Sequence, residues 1–244
     1  MEPVERSAGR EPAFNLPPAL MGLIGVLLLS HALVIFLPIE QRLWAIEQFA
    51  FIPARLTFAG GGPQEWWMWL TYAFLHGDWF HVGMNVLWLA IFGSPVLVRI
   101  GVSRFAALSV TAAIASVAMH AVAHWGDAAP VIGYSGVVSA MTGAAARFAF
   151  GNSRLGRRSV AYMPRLSIVG TLTNRSSLGF IAVWMVANLL AGSGMLTPDG
   201  PQIAWEAHVG GFLAGLLLFD LFDRQPPEPA PVNESDEPFG STER

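Results

Sequence analysis

Long apolar stretches separated by widely spaced charges are the main pattern of this 244-residue chain. About 20 apolar residues are needed to cross a bilayer, and a charge near its centre costs at least a few kcal/mol. Six stretches reach that length, which predicts an all-α, polytopic membrane protein with six transmembrane helices. The predicted spans lie at residues 16–37, 79–98 and 105–126, between Asp127 and Arg147, between Arg175 and Asp199, and at residues 203–222.

The segments outside these spans differ in character. Residues 1–15 and 224–244 are polar and contain several prolines, which predicts disordered tails on either side of a membrane domain at residues 16–223. The connection from Ile39 to Gly77 is long, and it is not uniformly polar. Apolar residues recur at helical spacing from Leu43 to Phe51, which predicts an amphipathic helix in the membrane interface.

The placement of arginine predicts the orientation of the chain in the membrane. All fourteen basic residues are arginines. If the N-terminus is inside, twelve of them lie in inner segments and only Arg42 and Arg55 lie in outer ones. Because cytoplasmic loops accumulate basic residues, we expect both termini in the cytoplasm of a cell with a bacterial-type inner membrane. Six of the arginines lie from Arg147 to Arg175, where anionic lipid headgroups would attract them.

Composition narrows the range of functions. Hydrophobic residues make up 53% of the chain and charged residues 13%, which is about half the charge of a soluble domain and excludes a cytosolic enzyme. The formal net charge is −3, whereas a nucleic-acid-binding protein normally has a strongly basic surface. We therefore expect the lipid bilayer, and no nucleic acid, as a partner. The lack of cysteine excludes disulfides, a thiolate metal cluster and a cysteine nucleophile.

Three sets of residues inside the predicted spans require an explanation, because lipid disfavours polar groups. They are His81 and Asn85 in the second span, Gly133-Tyr134-Ser135-Gly136 in the fourth, and Ala207-His208 with Gly211 and Gly215 in the sixth. Ser135 lies about seven residues into its span, which is a depth of about 10 Å in a helix. Asn85 lies at a similar depth and His208 is slightly shallower. Three helices therefore bring a hydroxyl, an imidazole and a His/Asn pair to about one level.

These side chains are suited to nucleophilic catalysis. A serine hydroxyl needs a base to remove its proton, and His208 is a suitable base for Ser135. His81 and Asn85 can donate hydrogen bonds to an oxyanion, together with the backbone N–H of Ser135. Glu206 is two residues from His208 and projects from another helix face, so the sequence predicts a Ser-His dyad without a carboxylate.

The glycines of these three sets predict close approach of the helices. Small residues at membrane helix interfaces allow the backbones to come together. We therefore expect helix packing at Gly133, Gly136, Gly211 and Gly215.

From Trp67 to Phe222 the chain resembles the rhomboid intramembrane serine proteases. The resemblance rests on His81-x-x-x-Asn85, Gly133-x-Ser135-Gly136 and Ala207-His208-x-x-Gly211-x-x-x-Gly215, in that order and in the second, fourth and sixth spans. It implies a serine-type endopeptidase that cleaves transmembrane segments of membrane proteins, with Ser135 as nucleophile and His208 as base. It also implies oxyanion stabilisation by His81 and Asn85, and it requires no cofactor and no metal.

Two positions depart from the family pattern. Family members often have Trp-Arg in the first outer loop, where this chain has Trp67-Met68. Some members carry an aromatic residue four positions after the serine, where it packs on the histidine, whereas this chain has Ser139. The resemblance therefore does not indicate how the His208 ring is held.

The six histidines support a different interpretation, which is a non-proteolytic membrane protein with a haem or metal site. All six fall in the predicted outer half, and His120 and His124 share a helix face. A transporter is a third possibility, although the chain has no visible inverted repeat. An inactive relative that only binds membrane helices is a fourth, and the presence of both Ser135 and His208 disfavours it.

Overall fold

Helices occupy the apolar stretches in the computed structural model, which describes residues 16–57, 65–150, 163–193, 195 and 203–224. The described part of the chain contains no β-strand, only an isolated bridge between Phe51 and Val131. The helices are α1 (Pro18–Ile35), α2 (Ile39–Phe49), α3 (Met68–Thr71), α4 (Trp79–Trp88), α5 (Ser94–Ile100), α6 (Val102–Ala123), α7 (Ser135–Ala146), α8 (Ile168–Thr173), α9 (Arg175–Gly192) and α10 (Trp205–Phe222). Most of the predicted tail residues, 1–15 and 225–244, lie outside the described residues.

Within the described residues, five helical segments are long and apolar enough to cross a membrane. One of them, Trp79–Ile100, joins α4 to α5 through a π-helical turn at Leu89–Gly93. The other four are α1, α6, α9 and α10. The prediction of an all-α polytopic fold is confirmed, with five long spans and a shorter apolar helix, α7, at the predicted fourth position.

The short helix α7 is the centre of the molecule. Every residue from Gly136 to Ala146 is buried, and most have small side chains. Helix α10 packs along α7 and α6, and α9 contacts both α7 and α10. A helix surrounded by other helices does not need to match the thickness of the bilayer, which explains how 12 residues suffice for α7.

The start of α7 differs from the prediction. The spacing of charges predicts that Ser135 lies about two turns inside a helix, but it is the first residue of α7. The residues before it are not helical, because Val131 pairs with Phe51 and the N–H of Gly133 donates to the carbonyl of Tyr72 at 3.0 Å. Gly133 has φ of +121°, which residues with a side chain rarely adopt. Ser135 therefore reaches its depth at the end of an extended entry segment, residues 128–134.

Glycines bring the backbones of α7 and α10 into contact. A Cβ atom on Gly211 would overlap the carbonyl of Gly136, and one on Gly215 would overlap the carbonyl of Ala140. The packing predicted for Gly211 and Gly215 therefore lies between these two helices, whereas a Cβ atom on Gly136 would overlap the side chain of Ser116 on α6. Gly133 is different: it precedes α7, and its positive φ and its position beside His81 explain the need for glycine there.

Ion pairs, one of which is fully buried, hold the opposite end of the molecule, away from Ser135. Arg99 binds both carboxylate oxygens of Asp223 at 2.9 and 3.0 Å, and these side chains are 2% and 0% exposed. Arg147 donates to Asp220 at 2.8 Å and to the carbonyl of Leu216 at 2.7 Å. Arg165 contacts both aspartates at 3.1 Å. These contacts fix the end of α10 against the rest of the bundle.

The segment between α1 and α4 packs on the end of the molecule that carries Ser135. Its helix α2 lies where the apolar spacing predicts an amphipathic helix, and only Ala45 is buried within it. Short 3₁₀ turns follow at Pro53–Leu56 and Tyr72–Phe74. The indole of Trp67 donates to the carbonyl of Gln48 at 2.9 Å, and the hydroxyl of Tyr72 donates to the carbonyl of Ala113 at 2.9 Å.

Candidate active site

A hydroxyl and an imidazole meet between α7 and α10. The Oγ atom of Ser135 lies 2.7 Å from Nε2 of His208, although the two residues are 73 positions apart. Ser135 is the first residue of α7 and His208 lies in the first turn of α10, where the glycine contacts hold the two helices together. Both residues are partly exposed. The distance suits transfer of the serine proton to the imidazole.

A third helix holds the other side of the imidazole. Nδ1 of His208 lies 2.7 Å from Oδ1 of Asn188 on α9. The Asn188 Nδ2 atom donates to the carbonyl of Trp205 at 3.2 Å, which fixes the orientation of the amide. The amide oxygen only accepts hydrogen bonds, so Nδ1 of His208 carries the proton and Nε2 is free to accept one from Ser135.

Sequence reasoning did not identify Asn188. The available signal is a single buried amide among apolar residues in the fifth span, which has more than one common explanation. Its contact with His208 holds the imidazole from α9. Four positions after Ser135, where the resemblance indicates a support for the ring, the chain has Ser139. At that position the Ser139 hydroxyl donates to the carbonyl of Ser135 at 2.8 Å, so it supports the backbone at the start of α7 and not the imidazole.

His81 lies on the other side of Ser135. Its Nδ1 atom accepts a long hydrogen bond of 3.4 Å from the N–H of Gly77, which leaves the proton on Nε2. A Cβ atom on Gly133 would lie 2.7 Å from that Nε2 and 3.6 Å from Ser135 Oγ. The space above Gly133 is thus bordered by the His81 donor and the Ser135 hydroxyl, and any larger side chain would fill it.

Asn85 lies one helical turn from His81 and is buried. Its Nδ2 atom donates to the carbonyl of His81 at 3.0 Å, which uses one of its two amide protons. The backbone N–H groups at the start of α7 are further donors, because the first turn of a helix lacks intrahelical acceptors. The His81 ring and the start of α7 therefore border the space beside Ser135 Oγ, while the amide of Asn85 binds the backbone of α4 one turn away.

His76 supports the backbone just before the serine. It is buried outside the membrane spans, and its Nε2 atom accepts a long contact of 3.5 Å from the N–H of Tyr134. Burial, with the nearby His81 and His31 rings, lowers the pKa of His76 to about 3. His76 is therefore neutral at physiological pH and can act as an acceptor.

Glu206 faces away from the imidazole of His208. Its carboxylate lies 3.2 Å from Nε2 of His124, which follows α6. Hydrogen bonds to Asp127 and Glu206 raise the pKa of His124. The group next to Nδ1 of His208 is the Asn188 amide, in the place where a serine-protease triad has a carboxylate.

Comparisons with known proteins identify the family of the chain. A family model described as the Rhomboid domain matches residues 63–224. The chain is 26% identical over 188 residues to the rhomboid protease GlpG of Pectobacterium atrosepticum, which covers 76% of this chain and 60% of that protein. It is 28% identical over 156 residues to the proteins of the same name from Yersinia pseudotuberculosis and Yersinia pestis, which covers 62% of this chain and 46% of each of them. The chain thus spans about half to three fifths of the length of these relatives.

Proposed function

Because the chain belongs to the rhomboid family, we propose that it is an intramembrane serine endopeptidase that cleaves transmembrane segments of other membrane proteins. The single observation that carries the proposal is the 2.7 Å contact between Ser135 Oγ and His208 Nε2. The relatives named rhomboid protease support the same activity. The rival interpretation from the histidine content, a non-proteolytic haem or metal protein, has no comparable support at Ser135.

Ser135 is the nucleophile in this proposal and His208 is the general base. Ser135 Oγ attacks the carbonyl carbon of the scissile peptide while His208 Nε2 takes its proton. His208 then gives that proton to the leaving amine, and a water molecule hydrolyses the acyl-enzyme by the same route in reverse. The Asn188 oxygen accepts from Nδ1 throughout, and it keeps the imidazole in the tautomer that the first step needs.

The oxyanion that forms in this step needs hydrogen-bond donors. We assign that role to His81 Nε2, the free amide proton of Asn85 and the backbone N–H of Ser135. The space above Gly133 supports the assignment, because it adjoins both His81 Nε2 and Ser135 Oγ. Removal of one such donor in a serine protease lowers kcat by about 10²- to 10³-fold.

Water is a reactant in the second half of this reaction. Ser135, His208 and His81 are all partly exposed, which supports access from the end of the molecule where they lie. Apolar spans enclose this site on the sides, so water would enter along the membrane normal. Substrates whose helices unwind easily near that surface would expose a peptide bond to Ser135.

Residues 16–223 form the membrane domain in this proposal, and both termini face the cytoplasm of a bacterial cell. The twelve-to-two distribution of arginines supports this orientation. The chain has no native cysteine, so a single introduced cysteine reports its own accessibility. We expect a membrane-impermeant maleimide to label Ala128→Cys in spheroplasts and Arg224→Cys only after lysis. The reverse pattern would invert the orientation.

Proteolysis is tested with the purified protein, a fluorophosphonate probe and a single-pass membrane substrate in detergent or liposomes. We expect covalent labelling at Ser135 and cleavage of the substrate within its transmembrane segment. Ser135→Ala should abolish both. Ser139→Ala is the matched control, because it removes a hydroxyl from the same helix and leaves the proposed nucleophile in place.

His208→Ala tests the base separately from the nucleophile. It should abolish turnover while the thermal unfolding temperature stays close to that of the wild type. Labelling and cleavage that persist in Ser135→Ala would exclude Ser135 as the nucleophile. Unfolding of His208→Ala, with full activity in a conservative variant at that position, would assign His208 a structural role.

A further inference from the structure

Two histidines and a glutamate meet between α6 and α10, beside the candidate active site and separate from it. His120 lies in the last turn of α6, His124 directly follows that helix, and Glu206 lies in the first turn of α10. Each residue offers one ligand atom, and these three atoms all lie within 4.8 Å of one another. The sequence alone pairs His120 with His124, and the fold adds the carboxylate.

We propose that His120, His124 and Glu206 form a binding site for a divalent transition-metal ion of the zinc type, which joins α6 to α10. Each histidine lies near one carboxylate oxygen of Glu206 at about the separation that such an ion requires, and the three ligand atoms lie within 4.8 Å of one another. Glu206 Oε1 lies 3.2 Å from Nε2 of His124, and Glu206 Oε2 lies 3.6 Å from Nδ1 of His120. Ligand atoms at about 2.1 Å from a tetrahedral zinc ion lie about 3.4 Å from each other.

His120 supplies an independent observation that points to a ligand. It is only 8% exposed, yet its Nδ1 atom has no hydrogen-bond partner among the described residues. A buried polar atom without a partner is unfavourable, so native proteins rarely leave one. The lone pair of a neutral imidazole can instead bind a metal ion, and the carboxylate of Glu206 lies next to it.

Asp127 completes the surroundings of His124. Its Oδ2 atom lies 2.9 Å from Nδ1 of His124. Metal-bound histidines commonly donate their second N–H to a carboxylate, which turns the other nitrogen toward the ion. The competing arrangement is a protonated His124 between Asp127 and Glu206. That arrangement satisfies His124 and Glu206 but leaves Nδ1 of His120 with only the 3.6 Å approach of Glu206 Oε2, which is too long for a hydrogen bond.

The ligand types indicate which ion would bind. Two imidazoles and one carboxylate suit zinc and its neighbours, whereas magnesium and calcium prefer oxygen ligands alone. Three protein ligands leave a fourth position for water. The side chain of His124 is 37% exposed, so an ion can enter from solvent.

This inference does not depend on proteolysis. Glu206 and His208 are two residues apart on α10, which places them about 200° apart around the helix. Glu206 faces His120 and His124, while His208 faces Ser135 and Asn188. A metal ion at Glu206 would fix the first turn of α10 and would not bind any residue of the candidate active site.

Calorimetric titration of the full chain with Zn²⁺, without a polyhistidine tag, tests the proposal. We expect one ion per chain and a rise in thermal unfolding temperature of roughly 5 °C at saturation. Glu206→Gln and His124→Gln should each weaken zinc binding by about 10- to 100-fold or more. Glu47→Gln is the matched control, because that carboxylate is 65% exposed and lies elsewhere on the surface.

X-ray absorption at the zinc edge identifies the ligands, and we expect two imidazoles with oxygen ligands. Absence of zinc binding to the folded wild-type chain would overturn the proposal. Equal affinity in the wild type, Glu206→Gln and His124→Gln would also overturn it. Binding that is lost in His208→Ala but kept in Glu206→Gln would assign the ion to the candidate active site instead. Retained proteolysis in Glu206→Gln would show that the two sites are independent.

Discussion

His208 has a hydrogen-bond partner on each ring nitrogen, and the two partners come from different helices. Ser135 and His208 could be predicted from the sequence, because a hydroxyl and an imidazole at one depth in separate spans indicate catalysis. Asn188 could not, because one amide in an apolar helix has several ordinary roles. Its function depends on which face of α9 packs against α10. The weak amphipathic pattern of α9 does not determine that face.

Replacement of Asn188 by leucine tests its role in positioning. Loss of one hydrogen bond of about 1–1.5 kcal/mol should lower kcat by roughly 10-fold, with little change in KM. Asn188→Asp keeps the acceptor and should retain more activity. Peptidase assays on both variants measure the effect.

Ser193→Ala is the control for the Asn188 variants, because it removes a hydroxyl near the end of α9. It should leave kcat unchanged. If Asn188→Leu has wild-type kcat, the contact between Asn188 and His208 serves only to pack α9 on α10.

At the scale of the elements, the sequence predicts that the apolar stretches form helices. It does not predict where α7 begins. The charge spacing locates the apolar stretches to within a few residues. It misses the start of α7, because the residues before Ser135 are apolar enough for a helix but bind Phe51 and Tyr72 instead. Tertiary contacts of this kind have no local signal, apart from Gly133.

The contact between α7 and α10 is tested by Gly215→Ala. Its added methyl group would overlap the carbonyl of Ala140, so we expect a loss of about 1–3 kcal/mol in the free energy of unfolding. The thermal unfolding temperature in detergent measures this loss.

Gly179→Ala is the matched control on α9. A Cβ atom there meets no atom within 4 Å, and alanine favours the helix by up to about 1 kcal/mol. Gly179→Ala should therefore unfold at the same temperature as the wild type or above it. Equal unfolding temperatures for the two variants would mean that α7 and α10 can separate at little cost.

At the scale of the whole molecule, the arginines form structural contacts in addition to indicating the orientation of the chain in the membrane. The sequence indicates attraction to lipid headgroups for the group from Arg147 to Arg175. The structure gives two of them protein partners, because Arg147 and Arg165 both contact Asp220. Arg154, Arg157 and Arg158 lie outside the described residues. Pairing across the fold could not be predicted, since Arg99 and Asp223 are 124 positions apart.

Asp223→Asn tests the buried ion pair with Arg99. It removes the charge that Arg99 and Arg165 both bind at a fully buried carboxylate, which should lower the free energy of unfolding by about 3–5 kcal/mol. Chemical or thermal unfolding in detergent gives the value. Glu47→Gln is the control, because Glu47 is exposed at 3.9 Å from Arg55, and such pairs contribute less than about 1 kcal/mol. Similar losses in both variants would show that burial of the Arg99 pair has no special effect.

The extended entry segment before Ser135 also bears on how this protein can be altered for use in the laboratory. It is held by the bridge from Val131 to Phe51 and by the hydrogen bond from Gly133 to Tyr72. An epitope tag inserted near Phe51 would pull on the backbone that leads to Ser135, although Phe51 lies far from it in sequence. Arg224, the exposed residue two positions after α10, is a safer place for a tag, because Asp223 and its partners anchor the chain ahead of it.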